Sequence, residues 1–294
     1  MIGELCALAT ACVWSVSSMM FAGAIRRAGS VQVNVARLII AAILLLVTIA
    51  AANLSLHLTL SQYAYLGVSG FIGLVFGDTF LFKSFQVNGA RISMLMMSLA
   101  PAISAVLAFF IVGESLPFWG IAGIFVTTAG IAIVVVANQQ DPSDRKRITG
   151  PGLFYGLCGA AGQGAGLVCA RLAFDAGEIN GFVATFVRIA ASLVVLLPLS
   201  VLTRRFKDPV GTFWRDKRAL ALTIGGAIFG PYLGITFSLI AITYTKVGIA
   251  ATLMATVPIL MLPLVRIIYR EHLTWHAIVG ACVAVAGVAI LFLR

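Results

Sequence analysis

The chain has 294 residues, of which 61% are hydrophobic and 10% charged, with a formal net charge of +10 and a mean hydropathy of +1.07. A soluble domain carries roughly 45–50% apolar and about 25% charged residues, so this composition excludes a water-soluble globular fold and predicts an integral membrane protein. The basic excess lies mostly between apolar runs, without a basic stripe or aromatic-basic module, which argues for orientation in a lipid bilayer and against nucleic-acid binding.

Crossing the hydrocarbon core takes about 20 apolar residues. By that ruler ten spans are predicted, near 2–25, 31–53, 62–84, 89–112, 117–137, 150–173, 181–202, 219–242, 247–268 and 273–293. The first opens at Ile2, carries Glu4 and lacks a basic leader, so it is expected to remain as a span and not to be cleaved. A first unit covers 1–137, a polar linker 138–148 follows, and a second unit covers 149–294. A second polar connection runs over 203–218.

The two units repeat one another. A shift of 157 positions lays Gly73 on Gly230, Gly77 on Gly234, Phe80 on Phe237, Pro101 on Pro258 and Glu114 on Glu271. Upstream a shift of 151 lays Arg37 on Arg188. Five spans per unit is an odd number, so the second copy must insert upside down. The expected architecture is therefore an all-α membrane protein of ten transmembrane helices, arranged as two five-helix repeats of inverted topology. That plan recurs in secondary transporters, whose sites lie near the midplane between the repeats.

Trp14, Arg37, Arg188, SLAPAISAVLAFFIVGESL at 98–116 and TVPILMLPLVRIIYREHL at 256–273 together resemble the EamA-type members of the drug/metabolite transporter superfamily. The resemblance covers nearly the whole chain. It implies a central cavity and the movement of small organic solutes such as amino acids and related metabolites. Gln163 departs from the pattern, standing where a second-half counterpart of Trp14 would be.

A charge inside a span costs about 2.5–3.5 kcal/mol on insertion scales, so each needs a reason. Asp78 and Lys83 lie in FGDTFLFKSF at 76–85, and their repeat positions are Ile235 and Ile240. The scaffold does not need charge there, which makes Asp78 a candidate for proton coupling or for a substrate ammonium. The alternative pairs Asp78 with Arg37 or Arg91, and Lys83 either lines the path or snorkels to a headgroup. Arg37 and Arg188 could each hold a carboxylate by two parallel hydrogen bonds, or serve the architecture. Glu114 and Glu271 suit helix entrances. Pro101 and Pro258, midway in spans 4 and 9, predict kinks that are static or act as hinges. Met94, Met97, Met254, Ser98, Thr252 and Thr256 lie near them as adaptable wall or plain packing. Trp14, too deep for the interfacial belt, together with Gln163, Tyr232 and neighbouring hydroxyls, completes the polar candidates.

No HExxH, G-x-S-x-G or Walker A pattern occurs, so neither an enzyme nor an ATP-driven pump is expected, and no cofactor or metal is called for. The five cysteines, without CxxC spacing, read as packing residues. The expected partners are a small-molecule substrate, protons as a coupling ion, and the bilayer, with the protein a monomer or homodimer. Lys and Arg concentrate in the connections after spans 1, 3, 5, 7 and 9, which predicts those connections in the cytoplasm. A flippase-like mover of lipid-linked intermediates is the rival transport reading, and a membrane-embedded enzyme or receptor is the rival of another class.

Overall fold

The computed structural model describes residues 2–111, 118–140, 148–204, 206, 208–244, 250, 253–269 and 275–292. Among these residues every regular element is helical. Glu114, Thr252 and Glu271 lie outside the described residues.

Helix α1 spans Ile2–Ala28 and α2 spans Ser30–Ala51. Helix α3 spans Leu60–Gly70 and leads through a π-helical segment, Phe71–Gly77, into α4 at Asp78–Met97. Helices α5 and α6 occupy Ala100–Ile111 and Phe118–Gln140. The second half brings α7 at Gly150–Asp175, α8 at Gly181–Leu202 and a short α9 at Pro209–Arg215. Helix α10 at Lys217–Ala227 passes through a second π segment, Ile228–Gly234, into α11 at Ile235–Tyr244, followed by α12 at Val257–Tyr269 and α13 at Trp275–Phe292. Among the described residues, six helical runs are long and apolar enough to cross a membrane: 2–28, 30–51, 60–97, 150–175, 181–202 and 217–241. Four shorter apolar helices accompany them at 100–111, 118–134, 257–267 and 275–290.

Local chemistry starts these helices. Thr59 and Gln62 form a reciprocal capping box at the start of α3, and Thr149 and Asn180 cap α7 and α8 by accepting backbone N–H bonds. The polar connection at 203–218 contains α9, which sequence composition hid. Asp208 caps α9 through Gly211 N–H, and Pro209 occupies its first turn, where proline costs no backbone bond.

The repeat holds at the level of backbone defects. The two π segments, 71–77 and 228–234, are 157 residues apart. Their shared glycines at the third and seventh positions are the common feature, whereas Pro231 occurs in only one, so proline is not what makes the π form. The helix interruptions before Pro101 and Pro258 match as well. Leu99 N–H reaches Met96 O at 3.1 Å and Thr256 N–H reaches Leu253 O at 3.2 Å, both three-residue bonds at positions 157 apart. The predicted kinks are therefore breaks lying just before each proline. A further break falls at Gly89, whose φ of 78° and ψ of 172° turn the chain within α4 between the predicted third and fourth spans.

Packing crosses between halves. Helix α7 lies against the first π segment and α1 against the second. A Cβ on Gly77 would lie 3.2 Å from Gln163 N, and one on Gly234 would lie 2.3 Å from Trp14 Nε1. Helices α6 and α13 also meet through small residues, Gly130 against Gly280 and Ala284.

Candidate substrate cavity

A cavity of about 200 Å³ lies where the first helices and the two π segments meet. Pockets for drug-sized ligands span roughly 300–1,000 Å³, so this space suits a small solute. Both halves build it: Trp14, Arg37 and Asp78 come from the first, and Gln163, Arg188 and Ile235 from the second. Among the described residues its only charged lining residues are Arg37, Asp78 and Arg188.

Asp78, at the junction of the first π segment and α4, is buried. One carboxylate oxygen, Oδ2, accepts a hydrogen bond from Arg37 Nη2 in a buried ion pair. The other, Oδ1, accepts from Gln163 Nε2 at 2.6 Å. The carboxylate needs a donor, so the amide nitrogen must be the atom facing it. Gln163 Nε2 also donates to Gly73 O at 3.2 Å, binding α7 to the π segment. Arg37 Nε donates to Asn34 Oδ1 at 3.0 Å, and Asn34 Nδ2 donates to Thr79 Oγ1 at 3.3 Å. The guanidinium of Arg37 also sits 4.6 Å from the Phe82 ring centroid and 5.5 Å from that of Phe21. Charge, hydrogen bonds and quadrupoles together hold it in a low-dielectric site.

Arg188 differs from its repeat partner. It is 5% exposed, and its Nε is buried without a hydrogen-bond acceptor. Its Nη2 borders Gly73, where a Cβ would come to 3.4 Å.

Trp14, Ser98, Pro101 and Pro258 also line the cavity. Ser98 Oγ donates to Leu95 O at 2.5 Å, so its hydroxyl hydrogen serves the interrupted helix. Three other predicted candidates are not among the lining residues. Tyr232 OH and Thr48 Oγ1 are 2.8 Å apart in a hydrogen bond, about three turns along α2 from Arg37, within the cluster that holds Leu45 and Leu239. Thr256 Oγ1 donates to Leu253 O at 2.7 Å, at the break before Pro258. Lys83 Nζ lies 5.1 Å and 5.5 Å from the Phe80 and Tyr155 ring centroids, away from Asp78's partners. The cavity wall includes Phe21, Phe82, Phe85 and Ser17, which sequence reasoning missed. An aromatic residue in an apolar helix carries no sequence signal that it faces a cavity.

The EamA-like transporter family matches residues 1–136 and 150–293. The chain belongs to that family. As an EamA-like transporter it is an integral, multi-pass membrane protein with a general transport role, and the family is one of transporters, not enzymes. A solved structure described only as "Crystal structure of protein" is 19% identical, with a TM-score of 0.63, covering 99% of this chain and 97% of its own. That similarity extends the fold over the full length. No curated protein matches the chain.

Proposed function

We propose that this EamA-like protein is a secondary-active exporter of a small organic metabolite across the cell (inner) membrane, working by alternating access without ATP. Ten spans form two five-helix repeats of inverted topology, 1–137 and 149–294, joined by 138–148. The observation that carries the reading is the cavity between the halves, bordered by matching π segments and matching breaks before Pro101 and Pro258. Paired defects at equivalent depths give two equivalent bending sites, and exchanging them between halves would open the cavity to alternate sides.

Contacts between connections support the span parity. Arg27, after the first span, pairs with Asp216, after the seventh, at 2.9 Å. Asn88, after the third, accepts from Thr149 N–H, after the fifth, at 3.1 Å. The basic residues in these odd connections favour a cytoplasmic position for them.

Asp78 serves as the coupling group. Both its oxygens are engaged by Arg37 and Gln163, so it offers no free face to a substrate ammonium. Protonation would instead release Arg37, turning a proton into a change at the centre of the cavity. The test is solute uptake by purified protein in proteoliposomes across a pH range, with wild type and Asp78→Asn. Transport that survives this substitution with unchanged pH dependence removes Asp78 from coupling, and protein that moves no solute at all overturns the transport reading.

A further inference from the structure

The two halves repeat their arginines but not their carboxylates. Arg37 and Arg188 occupy equivalent positions at a shift of 151, and both line the cavity at 5% exposure. Arg37 has Asp78 on the following π-helical hairpin. At the position equivalent to Asp78, 157 residues on, the second half has Ile235, which also faces the cavity. The Arg188 side chain consequently makes no hydrogen bond or ion pair among the described residues, and its Nε is buried without an acceptor. Asp78, whose charge acts on Arg188 across the cavity, is already held by Arg37 and Gln163. Among the described residues, two guanidiniums therefore share one carboxylate in a cavity lined by no other charge.

A buried, uncompensated charge is costly unless something else completes it. We infer that the missing partner is the substrate, and that this transporter takes small organic acids whose carboxylate docks on Arg188 in the place Ile235 leaves without charge. The assignment rests on the transport reading above and narrows it. The guanidinium fork matches a carboxylate by two parallel hydrogen bonds. Gly73 keeps the space beside Nη2 clear. The serine hydroxyls of the wall donate to backbone carbonyls and Gln163 donates to Asp78, which leaves an otherwise largely apolar wall with Trp14, Phe85, Met94, Met97 and Met254, so the body of the acid is apolar. No unengaged carboxylate lines the cavity to hold an amine, so an organic cation of the same shape is disfavoured.

3-Phenylpropionate and phenethylamine share a phenylethyl body and differ in the sign of their charge, which makes them suitable probes. Purified protein in detergent is titrated with each, reading the thermal midpoint and the affinity, and uptake of labelled 3-phenylpropionate is followed in proteoliposomes. Wild type is expected to bind 3-phenylpropionate and not phenethylamine. Arg188→Gln is expected to lose about ten- to hundred-fold in affinity, the worth of hydrogen bonds to a charged group. Ile235→Asp keeps the arginine but supplies the missing carboxylate, and is expected to abolish binding while raising the midpoint of the unliganded protein. Should Arg188→Gln fail to fold, Ile235→Asp and the two probes on wild type decide the matter. Preference for phenethylamine, binding of neither probe, or 3-phenylpropionate binding that survives both substitutions overturns the assignment. Arg188-dependent binding without uptake upholds the assignment and overturns the transport reading instead.

Discussion

Arg37 and Asp78, 41 residues apart, form a buried ion pair whose carboxylate is completed by Gln163 from the other half of the chain. The pair joins α2 to the hairpin that follows it, and the glutamine joins that hairpin to α7. One carboxylate thus connects three helical elements at the centre of the molecule.

Removing the charge of Asp78 leaves two buried guanidiniums without a counter-charge. Breaking one side of a buried pair costs about 3–5 kcal/mol, whereas replacing both partners with apolar residues is often neutral. Asp78→Asn is expected to destabilise by that amount, and Asp78→Leu combined with Arg37→Met by much less. Thermal or denaturant unfolding of the single and double variants in detergent measures the difference.

Lys83 presents a contrast. Its ammonium is held by the faces of Phe80 and Tyr155 and, among the described residues, has neither an ion pair nor a place in the cavity wall. Lys83→Met should cost about 0.5–1 kcal/mol from the lost cation–π attraction. Solute uptake per folded molecule is expected to remain that of wild type, and a large loss would put Lys83 in the path.

Gly234 lets α1 approach the second π segment. A Cβ there would lie 2.3 Å from Trp14 Nε1, closer than any real contact. Gly234→Ala should therefore displace the Trp14 ring and destabilise by about 1–3 kcal/mol, the usual cost of overpacking. The smaller ring in Gly234→Ala combined with Trp14→Phe should recover part of that loss. Unfolding midpoints test the recovery, and tryptophan emission tests the displacement.

Asp216 caps α10 by accepting Ala219 N–H at 2.9 Å and pairs with Arg27. The backbone bond from Ala219, then the Arg27 side chain, hold its carboxyl below the ordinary value of 3.8. A depressed carboxylate stabilises the folded state above its unfolded value and loses that contribution as pH falls through its folded value. Asp216→Ala should therefore lower the unfolding midpoint slightly and evenly at neutral pH. The difference from wild type should begin to shrink as pH falls below 3.8, the ordinary carboxyl value, and disappear only below the lower folded value; unfolding scans between about pH 2 and 7 would show it.

The membrane class, the twofold repeat and the candidate arginines were readable directly, because apolar run length, a constant shift and isolated charges in lipid are one-dimensional signals. The asymmetry of Asp78 against Ile235 was readable too, although not its consequence for Arg188. Which side chain meets which was decided only by tertiary packing. The choice of Arg37 as Asp78's partner, the turning of Tyr232 toward Thr48 and the use of Thr256 within its own helix depend on helix rotation and on breaks in the backbone. The π segments shift that rotation in each half, and a span predicted as a regular helix cannot contain the shift. Sequence alone therefore set the inventory of buried charge, and the folded helices determined that, among the described residues, the Arg188 guanidinium is left without a hydrogen-bonded partner.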